Sequence, residues 1–296
     1  LCVKCNKKTD LDFNLLKIGI KMDNINMNLE KKIMELSILL PTLGNRIDEL
    51  KRLFISLENQ NNKSFELIIV SQGNHKIIEE LLREFTFKYN QIKIEKKGLS
   101  LARNIGMKYV SGNYVILADD DAWYPEDSIN KIIKEVKNND AEIICFNIFD
   151  PISNRYYKDY SKHKRNVGII QLLKKSSIEI CFNLTKIDKS KIIFNEQFGL
   201  GTKFHSGEEN LLMNSLRKEG YKIKFINETI VYHRIRKKLE IDEAFIKAKA
   251  EVLKIILGKF GAYIYLNLIL IKNINKINSI RKVDAFINAM KMTLRN

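Results

Sequence analysis

Three consecutive carboxylates, Asp119-Asp120-Asp121, directly follow the apolar run Tyr114-Val115-Ile116-Leu117-Ala118. Adjacent carboxylates repel one another, and one of them titrates abnormally if left unpaired. At the tip of a buried strand, such a cluster is suited to holding a divalent cation through oxygen ligands. A cation held there neutralises a diphosphate, which points to chemistry on a nucleotide-linked substrate.

The elements around this cluster follow a regular order. Leu36–Leu40, ended by Pro41-Thr42, reads as a buried first strand, and Leu50, Leu53 and Leu57 recur at helical spacing. Leu67–Val70 is a second strand, ended by Ser71-Gln72. Ile77, Ile78, Leu81, Leu82 and Phe85 form the apolar face of the next helix. Ile92–Ile94 is a short third strand, Gly98 breaks the chain, and Ala102–Tyr109 is helical. Pro125 suits the first turn of a helix bearing Ile129, Ile132, Ile133 and Val136. Glu142–Phe146 is a fifth strand, and the chain turns irregular and polar from Asp150 to about Asn166. Ser206-Gly207-Glu208-Glu209 opens a helix that Gly220 ends. Ile223–Ile226 and Ile230–His233 are expected as two short strands, and the chain reads as helical from Leu239 onward. Strands alternating with helices imply a mostly parallel sheet with crossover helices. Ligands of such sheets bind outside the carboxyl ends of the strands, where Pro41-Thr42, Ser71-Gln72 and Asp119–Asp121 all fall.

The 296 residues suffice for one large α/β domain with an appendage or for two small domains. The formal net charge is +16, and residues 234–296 carry 14 Lys/Arg against 5 Asp/Glu, a surplus of nine. A basic tail serves nucleic acid, anionic lipid or an anionic substrate, or is simply a solvated surface. Cys2 and Cys5 have CxxC spacing without a second pair, and Cys145 and Cys181 lie in apolar runs, so a reduced, cytosolic compartment fits. Residues 1–33 contain scattered charges and no apolar core of a secretory signal. The chain opens on Leu1, and Met34 sits immediately before the first strand. Residues 1–33 are therefore expected to be an extension, either foreign to the native protein or loosely packed.

Five segments together resemble family 2 glycosyltransferases of the GT-A fold, of the kind that builds bacterial surface polysaccharides. They are Leu36–Thr42, Gly98–Gly106, Asp119–Pro125, Ser206–Leu212 and Val231–His233, in the family's order and spacing. The resemblance implies an α/β, Rossmann-like, mostly parallel sheet flanked by helices, with a helical carboxy-terminal extension. It implies a nucleotide-sugar-binding half at 34–150, an acceptor-binding and catalytic-base half at 151–233, and a basic helical region at 234–296. The cofactor is Mn²⁺ or Mg²⁺, bridging the donor diphosphate as a Lewis acid. Asp121, Asp119 and His233 are the implied metal contacts. Pro41, Thr42, Gln72, Gly98, Arg103, Asn104, Asp119 and Asp120 are the implied nucleotide contacts. Glu208 and Glu209 stand where the family has a Glu-Asp pair whose second residue is the general base, so Glu209 is the first choice and Glu208 the alternative. Gln72 stands where many members place an aspartate that holds the base, which leaves the base identity open. Trp123 and Tyr124 flank a bound sugar or belong to the core. His75, His163 and His205 have no such support.

The implied reaction is inverting transfer of a sugar from a nucleotide sugar to a glycan or lipid-linked acceptor in capsule, lipopolysaccharide or exopolysaccharide synthesis. Nucleic acid is not an expected partner, since no nucleic-acid-binding motif is evident. The rival readings are a sugar-nucleotide nucleotidyltransferase, whose glycine-rich signature Leu43–Arg46 does not match, and a degenerate nucleotide-sugar-binding or basic nucleic-acid-binding protein. Phe260–Ile271 is an apolar run flanked by Lys254, Lys259, Lys272 and Lys276, too short alone to cross a bilayer. It reads as an interfacial helix, giving residues 254–276 a peripheral contact with the inner face of the plasma membrane. Equally, it packs on the catalytic domain or on a second subunit of a homo-oligomer.

Overall fold

A computed structural model describes residues 34–160, 163, 165–235, 242–274 and 282–294; the extension expected at 1–33, with Cys2 and Cys5, lies outside the described residues. From Met34 the chain alternates β1 (Leu36–Thr42), α1 (Ile47–Glu58), β2 (Phe65–Ser71), α2 (His75–Leu82), β3 (Lys88–Lys93), α3 (Leu99–Met107), β4 (Tyr114–Leu117), α4 (Ser128–Lys137) and β5 (Ile143–Asp150). There follow β6 (Arg155–Tyr156), β7 (Arg165–Asn166), α5 (Ile169–Leu172), β8 (Ile180–Asn183), α6 (Glu208–Lys218), β9 (Ile223–Tyr232), α7 (Glu243–Lys272) and α8 (Lys282–Leu294).

The strands form one sheet in the order β3-β2-β1-β4-β8-β5-β9-β7, with β6 beside β5. β1 pairs in parallel with β2, from Leu36 opposite Phe65 to Thr42 opposite Ser71, and with β4, from Leu36 opposite Tyr114 to Leu39 opposite Leu117. β8 is inserted antiparallel between β4 and β5, and β9 returns parallel to β5. The parallel strands therefore all end on one edge. That edge carries Thr42, Ser71, the aspartates after β4, and His233 after β9.

β1 and β2 are buried along their whole length, which is why they read as continuous apolar runs. Alternate residues feed two cores. Leu39, Ile68 and Leu117 enter one, covered by α3, α6 and α7; Ile38, Leu40, Ile69 and Ile116 enter the other, covered by α1, α2 and α4. The sheet also joins residues on both sides of the expected divide at 150, since β5 pairs with β8 and β9.

Several local expectations differ from the fold. Ile77 is exposed, because α2 turns Ile78, Leu81 and Leu82 inward. β3 begins at Lys88 and is an edge strand of mostly exposed polar residues, so only its end had an apolar signal. Pro125 precedes α4 by a full turn, and Asp127 stands at the cap position. The two strands expected around 223–233 are one, β9. Asn227 and Glu228 read as a break, but the sheet carries them across a register shift at Asn147, whose Nδ2 donates to Asn227 Oδ1 at 2.8 Å.

Candidate active site

The loops leaving β1, β2 and β4 enclose a cleft of about 320 Å³. Pro41, Thr42, Gln72, Gly98 and all three aspartates line it, as do Arg46 and Lys97. Thr42 Oγ1 donates to Asp120 Oδ2 at 2.7 Å and accepts the Gly44 N–H at 2.9 Å, tying the β1 loop to the acidic tip. Gln72 Oε1 accepts the Gly98 N–H at 2.6 Å, which fixes the amide and joins the β2 end to the start of α3. Leu200 closes the far wall by accepting the Leu99 N–H at 3.1 Å.

Arg103 connects this cleft to the second acidic pair. Its side chain is fully buried on α3. Nη2 donates to Asp119 Oδ1 at 3.2 Å and Nη1 to Glu208 Oε1 at 2.8 Å. One guanidinium thus bridges the end of β4 and the first turn of α6. The second Glu208 oxygen is buried without a hydrogen-bond partner among the described residues. Burial pushes the Asp119 carboxyl up, Arg103 pulls it back, and Asp121 and Glu208 push it up again. Its side chain keeps 38% exposure, so water limits that rise. Burial likewise raises Asp120, against the hydrogen bond from Thr42.

Asp121 is approached by two arginines and a histidine. Arg46 Nη1 donates to Oδ2 at 2.6 Å, Arg52 Nη2 donates to the backbone oxygen at 2.8 Å, and His233 Nε2 lies 3.1 Å from Oδ1. His233 Nδ1 lies 2.8 Å from the Arg234 carbonyl oxygen. A carbonyl only accepts, so Nδ1 carries a hydrogen. Nε2 is then the nitrogen that faces the Asp121 carboxylate. This is the arrangement of a metal-ligating histidine, whose other nitrogen donates to a backbone carbonyl. Among the described residues no three His, Cys, Asp or Glu side chains form a metal cage by themselves. One carboxylate and one imidazole nitrogen fit a small hard cation that takes its remaining ligands from diphosphate and water.

Glu209, in the first turn of α6, is half-buried. Burial and then the charge of Glu208 push its carboxyl up to about 8, against Arg103 and Lys249. Lys249 comes from α7; burial lowers its amine, and Glu209 raises it. A carboxyl poised near neutral pH suits a general base.

Two expected residues have different surroundings. Arg103 lies beneath the cleft rather than along it. Asn104 holds the loop ahead of α6: its amide donates to Phe194 O at 2.9 Å and to Glu196 Oε1 at 3.2 Å, and its oxygen accepts the Phe194 N–H at 2.8 Å. Arg46 and Lys97 were not singled out from the sequence. Their signal was position alone, each standing in a loop at the carboxyl edge of the sheet. Trp123 packs against Tyr232, while Tyr124 is buried with a hydroxyl that has no partner among the described residues.

Comparison with known proteins agrees with this architecture. A family model, Glycosyl transferase family 2, matches residues 37–203. Glycosyltransferase GlyA of Streptococcus pneumoniae serotype 4 is 27% identical over 203 residues, covering 64% of this chain and 29% of GlyA. The uncharacterized glycosyltransferase YwdF of Bacillus subtilis is 33% identical over 119 residues, covering 38% of this chain and 44% of YwdF. The chain thus spans less than half the length of these two curated relatives. Among solved structures, S. aureus TarS residues 1–349 superpose with a TM-score of 0.64 at 15% identity, covering 88% of this chain and 81% of that one. TarS in complex with UDP-GlcNAc superposes with a TM-score of 0.62 at 16% identity. The sheet and its flanking helices are those of a GT-A fold, and the chain belongs to glycosyl transferase family 2.

Proposed function

We propose that this protein is an inverting, Mn²⁺- or Mg²⁺-dependent transferase that moves a sugar from a nucleotide sugar to a hydroxyl of a glycan or lipid-linked acceptor. The observation that carries this reading is the Arg103 bridge, which joins the acidic strand tip to the Glu208-Glu209 pair within one site. Thr42, Asp120, Gln72 and Gly98 form the nucleoside side of the cleft, and Arg46 and Lys97 supply positive charge for a diphosphate. Asp121 and His233 are the groups that would hold the cation, with Asp119 beside them. A bound cation supplies Lewis-acid stabilisation to the departing diphosphate. Glu209 takes the proton of the acceptor hydroxyl. The acceptor oxygen bonds to the anomeric carbon as the bond from that carbon to the diphosphate oxygen breaks. One base and one leaving-group site imply direct displacement, hence inversion.

TarS binds UDP-GlcNAc, which makes uridine-linked sugars the first donors to examine. The same reading places the protein in capsule, lipopolysaccharide or exopolysaccharide assembly. An apolar face on α7 supports peripheral contact with the cytoplasmic side of the membrane, where lipid-linked acceptors are presented.

The test is thermal unfolding of the protein with UDP-GlcNAc and other nucleotide sugars, with and without Mn²⁺, followed by nucleoside diphosphate release. One donor should raise Tm strongly when Mn²⁺ is present. Asp121→Ala and His233→Ala should each reduce release by about 100-fold or more. If no nucleotide sugar shifts Tm or is turned over with either metal, the reading fails.

A further inference from the structure

Behind the acidic tip lies a second, larger cavity of about 690 Å³. It runs between the end of α1 and the turn after Asp121, outside the donor cleft. Its frame is well tied. Trp123 and Tyr232 exchange backbone hydrogen bonds of 3.1 and 2.7 Å, and Asn61 N–H donates to Glu126 O at 2.9 Å. The Arg52 guanidinium lies 3.9 Å over the Trp123 ring and donates to the Asp121 backbone oxygen, so its charge is already engaged.

The wall chemistry is distinctive. Trp123, one face of which Arg52 covers, and Tyr232 offer aromatic rings with polar edges, 5.8 Å apart between centroids. Asn59 and Asn61 offer exposed neutral amides that both donate and accept. Glu126 and Asp127 offer carboxylate acceptors. A polyanion meets carboxylates here. An apolar ligand would bury amides and carboxylates without partners, which is costly. A neutral polyhydroxylated ligand satisfies both demands, because each hydroxyl donates and accepts and each ring face packs on an aromatic.

We propose that this cavity is a subsite for a neutral oligosaccharide, separate from the donor cleft. It rests on the transferase reading only for the source of the ligand, a glycan on which the enzyme acts. The placement has a consequence for that reaction. Trp123 stands two residues from Asp121, and Tyr232 immediately precedes His233, so an occupied subsite keeps the glycan beside the catalytic edge between turnovers.

Trp123 is the sole tryptophan of the chain, so intrinsic fluorescence reports on this cavity directly. The full chain should be titrated with maltotetraose, chitotetraose, cellotetraose and mannotetraose. At least one should give a saturable change in emission. Asn59→Ala with Asn61→Ala, on exposed side chains, should weaken that binding by about tenfold or more with Tm unchanged. Glu126→Gln serves as a second, milder variant and should weaken it several-fold. Thr42→Val, in the donor cleft, should leave it intact. The proposal is overturned if none of the four sugars gives a saturable change, if the groove variants bind like the unaltered protein, or if Thr42→Val abolishes binding. Because binding is read without turnover, failure here is distinct from failure of the transferase reading.

Discussion

Arg103 is the residue on which both acidic groups depend. It is fully buried, and its fork donates to Asp119 on one side and to Glu208 on the other. Removing one member of a buried ionic group leaves the others uncompensated, which costs about 3–5 kcal/mol. The partial exposure of Asp119 places Arg103→Met near the lower figure, a fall in Tm of roughly 6–12 °C. Arg103→Lys keeps the charge but loses the planar fork, so it should recover part of the Tm and little turnover. Glu209 allows a separate test. A general base acts only when deprotonated, and burial beside Glu208 raises this carboxyl to about 8. Turnover should therefore climb with rising pH and level off above that value, and Glu209→Gln should flatten the profile while cutting turnover by about 10²–10⁴. If Glu208→Gln instead flattens the profile with Tm unchanged, Glu208 is the base. At this scale the aspartates and glutamates were legible because they form contiguous clusters at motif spacing. Arg46 and Lys97 were not, because a single basic residue in a loop has no pattern to distinguish it from its solvated neighbours.

The helix that presents those glutamates is set by its first cap. Gly207 has φ 98°, and a Cβ added there would come within 2.4 Å of Val252 Cγ2 on α7. Only glycine both adopts that backbone and admits that approach. Gly207→Ala should lower Tm by several degrees and reduce turnover, because relief requires α6 or α7 to move and Glu208 and Glu209 ride on α6. Adding Val252→Ala should restore part of the loss, less than the whole, since the backbone strain remains. A double variant no better than the sum of the two singles would exclude this contact as the cause. Elements whose apolar pattern matched their burial were readable: β1, β2, β4, α1 and α4 all stand where periodicity put them. β3 was misplaced because an edge strand pairs through its backbone and needs no apolar signal. β9 was split in two because Asn227 and Glu228 interrupt its pattern, while the bulge that accommodates them depends on β5, far away in sequence.

For the molecule as a whole, the open question is what meets α7. The helix spans Glu243–Lys272 and is long and apolar enough to cross a membrane by length and composition, which exceeds the short apolar run apparent in the sequence. It is not one continuous rod. Gly258 has φ 72° and ψ 171° and divides it. Before the break, Ile246, Ala250 and Leu253 are buried in the core beside α6, so this half belongs to the catalytic unit. After the break, Ala262, Leu266 and Leu270 face inward while Phe260, Ile264, Leu268 and Ile271 are exposed, Phe260 by 73%. Their spacing of three and four residues puts them on one outward stripe, with Lys259 and Lys272 at its ends; Lys276, expected as a further flank, lies outside the described residues. An apolar stripe on a chain of net charge +16 suits the surface of an anionic bilayer. The protein should therefore co-sediment with phosphatidylglycerol vesicles and stay in solution with phosphatidylcholine vesicles. High salt should weaken the association without abolishing it, because part of the binding is apolar. Phe260→Asp combined with Leu268→Asp should release the protein from vesicles while leaving turnover of a soluble acceptor unchanged, since neither residue lines the cleft at the acidic edge. If the same pair leaves vesicle binding intact and converts a dimer into a monomer in size-exclusion chromatography, the stripe is a subunit interface and the membrane assignment is wrong.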